Sequence, residues 1–173
     1  MNELTTLQAL SYELRNDAID ILINNAGIYG SNKNKFGSVD VQSWLETFQE
    51  NSIAPLKMVE AISEQLQMGQ RKLIACRSSK MGSIADNGYG NSYIYRSSKA
   101  ALNAVVKSLS IDLKDKGIIS VALHPGWVKT DMGGPDAEIS TQECVAQIFN
   151  NLSELTLDDS GRFVDIDGSD IPW

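Results

Sequence analysis

The 173-residue sequence has few of the residues that form disulfide frameworks, metal centres or nucleic-acid surfaces. It contains two cysteines, Cys76 and Cys144, and a single histidine, His124. Two distant cysteines predict buried thiols in a reducing compartment rather than a disulfide, and with one histidine they predict no metal site. His124, at a strand end before Pro-Gly, is interpreted as a hydrogen-bonded structural residue. The net charge of −7, with no cluster of lysines and arginines, excludes a nucleic-acid partner.

Long hydrophobic runs are also missing. No apolar run approaches the roughly 20 residues of a membrane span, and the first residues lack a basic and apolar signal pattern. The sequence therefore predicts a cytoplasmic protein that does not work in a membrane.

Short apolar runs alternate with stretches of helical spacing along the whole chain. Such alternation predicts βαβ units, hence an α/β fold with a parallel sheet, and the length suits one domain. Strands are predicted at 20–24, 72–76, 118–124 and 161–165. Helices are predicted at 4–15, 40–50, 53–67, 95–115 and 141–151. Between them, 29–39 and 78–91 are predicted loops and 132–140 an irregular segment.

The pair Tyr95 and Lys99 carries the strongest chemical signal. Residues four apart on a helix share one face. A lysine cation beside a phenol is expected to lower the phenol's pKa from about 10, which suits it to exchange protons with a carbonyl oxygen. Ser79, with Ser78 and Ser83 as alternatives, lies at a strand end where a hydroxyl can share that oxygen. The pair also arises by chance, as a half-buried tyrosine and a solvated lysine, so neighbouring motifs must decide.

Those neighbouring motifs resemble, in order, the short-chain dehydrogenase/reductase family. They are Asn24-Asn25-Ala26-Gly27 after an apolar run, Asn51 in a helical stretch, Ser78-Ser79-x-x-Gly82, Tyr95-x-x-x-Lys99, and Pro125-Gly126-Trp127-Val128-x-Thr130. The runs 95–103 and 124–134 are similar to the branch of C-factor and sniffer-like carbonyl reductases. The resemblance implies a three-layer Rossmann-type parallel sheet, with residues 1–173 as a single partial domain.

The resemblance also implies an NAD(P)-dependent oxidoreductase acting on a small carbonyl or alcohol substrate. Tyr95 would be the general acid, and Lys99 would lower its pKa and hold the nicotinamide ribose. Ser79 would hydrogen-bond the substrate oxygen, and Asn51 would anchor a water of a proton relay. NADP is favoured over NAD as cofactor.

Two further segments are expected to contact the cofactor. One is the adenosine-side wall, which can equally serve to close the sheet, and the other is the nicotinamide-side loop. Their residues are Asn25, Ala26 and Gly27 in the first, and Pro125, Gly126, Val128 and Thr130 in the second, with Tyr95 and Lys99 also in contact. Trp127 and the 132–140 segment are candidates to cover the substrate.

One part of the family pattern is missing. Related folds hold the dinucleotide pyrophosphate at a strand, glycine turn and helix N-terminus, and none of the 13 glycines here has that setting. The pattern predicts an N-terminally truncated sheet, with the 20–24 strand as an exposed apolar edge. It also predicts millimolar or weaker dinucleotide binding. The alternatives are a non-catalytic or signalling protein, C-factor-like, and a purely structural one.

The family resemblance further implies a homodimer or homotetramer, paired through helices 53–67 and 95–115. Both helices carry more apolar residues than one stripe requires, and small side chains permit close helix approach. The residues assigned to this face are Val59, Ile62, Leu66, Ala100, Ala101, Ala104 and Val105.

Overall fold

The computed structural model describes residues 3–173. Met1 and Asn2, on which the signal-pattern prediction partly rests, lie outside the described residues. Within these described residues, four parallel strands form one sheet in the order β1-β2-β3-β4, namely Ile21–Asn24, Leu73–Arg77, Ile119–Leu123 and Phe163–Val164. The predicted parallel sheet is confirmed, with strand ends shifted by one or two residues.

In the part of the chain that the structure describes, five α-helices accompany the sheet. They are α1 (Glu3–Glu13), α2 (Val41–Phe48), α3 (Ala54–Met68), α4 (Tyr93–Asp112) and α5 (Thr141–Glu154). Two helix starts follow directly from the sequence. Asp40 Oδ1 accepts the N–H of Ser43 at 3.1 Å, and Ser140 and Glu143 form a capping box. The predicted break near residue 51 is a π-helical turn, Gln49–Ile53, that joins α2 to α3.

Alternate residues of β2 face two separate apolar layers. Ile74 and Cys76 pack with α3 and α4 on one face of the sheet, while Leu73 and Ala75 pack with α5 residue Leu152 on the other. Strand residues alternate between faces, and both faces of this strand are covered. The three-layer Rossmann-type arrangement is thus confirmed.

The β1 strand forms the edge of the sheet, as predicted. Its unpaired side leaves Ile21 41% and Ile23 53% exposed. These two residues are in register with Leu73 and Ala75, so the apolar layer beneath α5 continues uncovered to this edge.

The predicted pairing face of α3 is wrong. Val59, Ile62 and Leu66 are buried in the chain's own core, because α3 turns them toward β2 and α4. On α4, by contrast, Ala104 is exposed. Cys76 and Cys144 are buried free thiols, as predicted. No helix among residues 3–173 combines the length and apolarity that crossing a bilayer requires.

Candidate active site

A cleft of about 680 Å³ opens at the carboxyl ends of the strands, where parallel α/β sheets bind ligands. It brings together predicted site residues from α4 and from the segments that follow β1, β2 and β3. These are Asn25, Ser79, Tyr95, Pro125, Gly126, Val128 and Thr130. Lys99, Asn51 and Gly27 lie beside the cleft rather than on its wall. Ala26 is not among the lining residues.

Hydrogen bonds distinguish Ser79 from the two alternative serines, Ser78 and Ser83. The Ser78 hydroxyl donates to Asn103 Oδ1 at 2.5 Å, and the Ser83 hydroxyl donates to the carbonyl of Pro172. Ser79 Oγ accepts the N–H of Met81 at 3.2 Å and lines the cleft. It therefore keeps its own proton for a ligand or for Tyr95.

Gly82 fixes the distance between the Ser79 turn and α4. The turn packs so closely that a Cβ on Gly82 would lie 2.8 Å from the backbone carbonyl carbon of Lys99. Only glycine fits at such a contact. The glycine of Ser-Ser-x-x-Gly thus serves to bring the serine against the Tyr-Lys helix.

Tyr95 is buried against a second tyrosine that the sequence did not single out. Its ring stacks on Tyr29 with centroids 4.7 Å apart, and the Tyr29 hydroxyl shares a 2.9 Å hydrogen bond with Ser92 Oγ. Tyr95 is 8% exposed yet lines the cleft. The stack orients the phenol with its hydroxyl end available to the cleft.

Lys99 is among the most deeply buried large side chains of the described chain, at 2% exposed, and is not a solvated helix lysine. Its Nζ donates to the carbonyl of Arg77 at 2.8 Å and lies 5.7 Å from the centre of the Tyr95 ring. An ammonium has three donors, and this is the one hydrogen bond that Nζ makes to the described residues. Buried donors normally find partners, so Lys99 is equipped to bind a further acceptor.

The predicted lowering of the Tyr95 pKa is wrong. Burial raises the pKa of Tyr95 above its ordinary value, and this outweighs the lowering by a hydrogen bond from Ser79 and by the charge of Arg77. Burial, with Arg77 second, lowers the pKa of Lys99 to about 8. The sequence shows that both groups share a helix face but not how far both are buried, and burial disfavours each charged form.

Asn51 links the π-helical turn to the segment after β1. Its Oδ1 accepts the N–H of Ile28, and its Nδ2 donates to the carbonyl of Ile28 and to Ser98 Oγ, all within 2.9 Å. A Cβ on Gly27 would lie 3.0 Å from Asn51 Oδ1 and 3.3 Å from Lys99 Nζ. The side-chain amide of Asn51 is therefore fully used in hydrogen bonds within the protein. A proton relay through Asn51 must use its backbone carbonyl instead. π-Helical turns are often found at functional sites.

The described residues fit one half of a nicotinamide dinucleotide. The free donors of buried Lys99 suit the ribose hydroxyls, and the space kept open by Gly27 lies beside them. The Thr130 loop closes on itself, with Trp127 Nε1 donating to the carbonyl of Gly133 at 2.8 Å. In residues 3–173, however, no strand is followed by a glycine turn that begins a helix. These residues therefore contain no pyrophosphate-binding site of that kind.

His124 is not the satisfied residue that the sequence indicated. Its Nδ1 is buried without a hydrogen-bond partner among residues 3–173, and the ring lines the cleft. Burial lowers its pKa, against a raising effect from Asp165. Within the same residues, no three histidine, cysteine or carboxylate side chains are grouped so as to hold a metal ion.

Sequence reasoning missed Tyr29, Arg77 and the Ser98 contact to Asn51. Tyr29 lies in a polar loop, and Ser98 is one of several serines in a helix, so neither has a distinctive pattern. Arg77 had a usable signal, because a charged residue closes an otherwise apolar strand directly before the Ser-Ser pair.

Fold and site together define the class of protein. A parallel α/β sheet with a buried Tyr-Lys pair and a serine at the carboxyl edge of the strands is an oxidoreductase arrangement of the Rossmann type. The model of the short chain dehydrogenase family matches residues 5–140. The chain belongs to that family and is an oxidoreductase by class.

Curated relatives include a protein named C-signal and a dehydrogenase. The chain is 41% identical over 167 residues to the C-signal of Myxococcus xanthus, covering 96% of this chain and 100% of that protein. It is 31% identical over 174 residues to the 1-hydroxy-2-glutathionyl-2-methyl-3-butene dehydrogenase of a Rhodococcus species, covering 97% of this chain and 75% of that one.

Solved structures of carbonyl reductases superpose on nearly all of the chain. The carbonyl reductase Sniffer of Drosophila melanogaster gives a TM-score of 0.90 at 36% identity, covering 98% of this chain and 72% of that one. The NADPH-bound carbonyl reductase from chicken fatty liver gives 0.87 at 34% identity, covering 98% and 71%. The predicted family and branch are thereby confirmed.

Proposed function

We propose that this chain is an NAD(P)-dependent carbonyl reductase in which Tyr95, Ser79, Lys99 and Asn51 form the proton-transfer site. The observation that carries this is the buried Lys99, whose ammonium has donors to spare beside a phenol that lines the cleft. A purely structural lysine so deeply buried would be expected to meet more acceptors.

The residues divide the reaction between them. Ser79 and Tyr95 donate hydrogen bonds to the substrate carbonyl oxygen, which polarises the carbonyl and stabilises negative charge as it develops there. Tyr95 then gives its proton to that oxygen, and the raised pKa keeps the phenol protonated at neutral pH for this step. Lys99 would hold the nicotinamide ribose and is the nearby group that can return a proton to Tyr95, and the Asn51 carbonyl would position water behind Lys99.

NADP or NAD is the cofactor, with NADP favoured because solved neighbours carry it in their names. Lys99 and Tyr95 would hold the nicotinamide ribose, and the loop of Pro125, Gly126, Val128 and Thr130 would hold the carboxamide. Asn25, Ala26 and Gly27 would form the wall toward the adenosine. When bound, the nicotinamide supplies or accepts the hydride equivalent.

A second candidate is a signalling protein without turnover. It is favoured by one observation, that the chain matches the C-signal over the whole length of that protein but about 72% of the solved reductases. The two candidates differ in what they require of Lys99, since a signal that needs no chemistry does not need its ammonium.

The test is reduction of neutral aldehydes and ketones at millimolar NADPH or NADH, with loss of dihydronicotinamide absorbance as the readout. Lys99→Met should lower the rate by about two orders of magnitude, because both the relay and a cofactor contact are removed. Lys107→Met is the matched control, since Lys107 is an exposed lysine on the same helix. It should leave the rate unchanged. No reduction above background by the wild-type chain at any dinucleotide concentration would favour the signalling candidate.

A further inference from the structure

Arg77 lines the cleft and has no side-chain hydrogen-bond or ion-pair partner among residues 3–173. The chain has five arginines, all within the described residues. Four of them donate side-chain hydrogen bonds: Arg15 to Tyr12, Arg71 to Leu152, Arg96 to Gly90 and Arg162 to two aspartates. Arg77 donates none to residues 3–173, and it forms none of their ion pairs. Half-buried guanidinium groups are normally paired.

The position of Arg77 at the end of β2 places this residue at the ligand-binding edge of the sheet. It follows Leu73 and Ala75 on the face of the sheet that α5 covers, because alternate strand residues share a face. Burial raises the pKa of Tyr95 on α4 and of Cys144 on α5, and the charge of Arg77 opposes part of both shifts. Arg77, Tyr95 and Cys144 all line the cleft. Arg77 therefore shares one cleft with the proposed proton donor and with residues of α5.

The cleft is lined by cations and by no carboxylate, although the protein is acidic overall. The chain carries 22 acidic and 15 basic residues, yet the residues lining the cleft include Arg77 and Lys80 and no aspartate or glutamate. A cleft of one sign with low-dielectric walls concentrates ligands of the opposite sign. A carboxylate accepts two parallel hydrogen bonds from a guanidinium, which lysine cannot supply in that geometry.

We propose that Arg77 binds the carboxylate of an oxo acid, so that the preferred substrates carry a carboxylate next to the carbonyl that Ser79 and Tyr95 polarise. The substrate class rests on the proposed function, whereas anion binding by Arg77 does not. A phosphate of the dinucleotide is the other source of negative charge in this cleft, and the experiment separates the two.

Binding is measured first, without cofactor or turnover. Benzoylformate and its neutral methyl ester are titrated separately, with the indole N–H of Trp127 followed by NMR. Trp127 lines the cleft, and its signal is assigned with Trp127→Phe. The wild-type chain should bind the acid at least tenfold more tightly than the ester. Arg77→Met should abolish that preference and leave ester binding unchanged, and Arg77→Lys should restore part of it.

The matched control is Arg15→Met, which removes an arginine far from the cleft and should keep the wild-type preference. Circular dichroism and thermal melting verify folding, and Arg77→Met should fold because no hydrogen bond of the side chain is lost. No preference for the acid in the wild-type chain would overturn the proposal. So would equal weakening of acid and ester in Arg77→Met.

A third titration, with nicotinamide mononucleotide, identifies the source of the anion. If Arg77→Met weakens the mononucleotide and spares benzoylformate, the guanidinium serves the cofactor and the proposal is wrong. A wild-type chain that binds benzoylformate through Arg77 but never reduces it would instead overturn the proposed reaction and leave the anion site standing. If Arg77→Met binds benzoylformate as tightly as the wild-type chain does, and neutral carbonyls are reduced, the anion site is overturned and the proposed reaction stands.

Discussion

At the scale of single residues, the site is governed by burial more than by the pairing of charges. Lys99 is buried next to a second cation, Arg77, and both effects lower its pKa to about 8. Tyr95 keeps its proton for the same physical reason, because burial disfavours the phenolate. At neutral pH the protein thus holds a neutral proton donor beside a lysine that is close to releasing its own proton.

Lys99 should make the stability of the protein depend on pH. Below about pH 8 the lysine is charged in both the folded and the unfolded chain, and the full penalty of burying the charge opposes folding. Between about pH 8 and about 10.5 the unfolded chain binds more protons, so the free energy of unfolding rises with pH. The recovered stability is at most about 3 kcal/mol.

Urea unfolding of the wild-type chain and Lys99→Met at about pH 7 and about pH 10 measures this effect. Titration of Tyr95 is common to both proteins and cancels in the difference. The wild-type chain should gain stability relative to the variant as the pH rises. A difference that stays constant with pH would contradict the lowered pKa of Lys99.

Among the site residues, the sequence identified those whose spacing carries information. Tyr95 and Lys99 are four apart, and Ser79 has a glycine at a fixed distance. Tyr29 reaches Tyr95 across the fold from a loop with no periodicity, and the burial that reverses the predicted pKa shift comes from packing between elements. Neither is contained in local spacing.

At the scale of elements, the helices and strands were predicted to within a few residues because each has a local cause. Asp40 and Ser140 cap helices through their own side chains, and the strands are short apolar runs. The sequence predicted a break near residue 51 but not that the break is a π-helical turn. An extra residue inserted in a helix leaves no local sequence pattern, and Pro55 is equally typical of the first turn of a new helix. The role of the apolar residues of α3 was also predicted wrongly, because they face the chain's own core and not a second subunit.

The α4 helix remains the basis for the predicted dimer. Ala101, Ala104 and Ser108 lie on one side of it at helical spacing, and Ala104 is exposed. Small side chains permit two helices to approach closely. Light scattering after size exclusion at micromolar concentration should therefore give a dimer or larger species, and Ala104→Glu should shift it toward monomer.

A matched control for that experiment is Lys114→Glu, which alters an exposed charge beyond the end of α4. It should leave the assembly unchanged. A folded wild-type monomer would contradict the predicted dimer. An oligomer that Ala104→Glu leaves intact would place the interface elsewhere.

At the scale of the whole molecule, the fold could be read from the sequence because one pattern of alternating strands and helices runs through it. The exposed β1 edge followed from the same pattern, as Ile21 and Ile23 show. The charge of the cleft could not be predicted from the sequence. Net charge is a sum over the whole chain, whereas the cleft is lined by a few residues from segments that are distant in sequence.

The central claim is that Tyr95 is the proton donor for carbonyl reduction in this cleft. Its most direct test is the rate of carbonyl reduction at one fixed, millimolar NADPH concentration. The rate is compared between the wild-type chain, Tyr95→Phe and the control Tyr93→Phe, which changes a partly exposed tyrosine of the same helix. Tyr95→Phe keeps the ring and its stack on Tyr29 and removes only the hydroxyl. We expect a loss of about a hundredfold or more for Tyr95→Phe and none for the control. A Tyr95→Phe rate within about threefold of wild type would contradict it, since general-acid catalysis contributes far more than that.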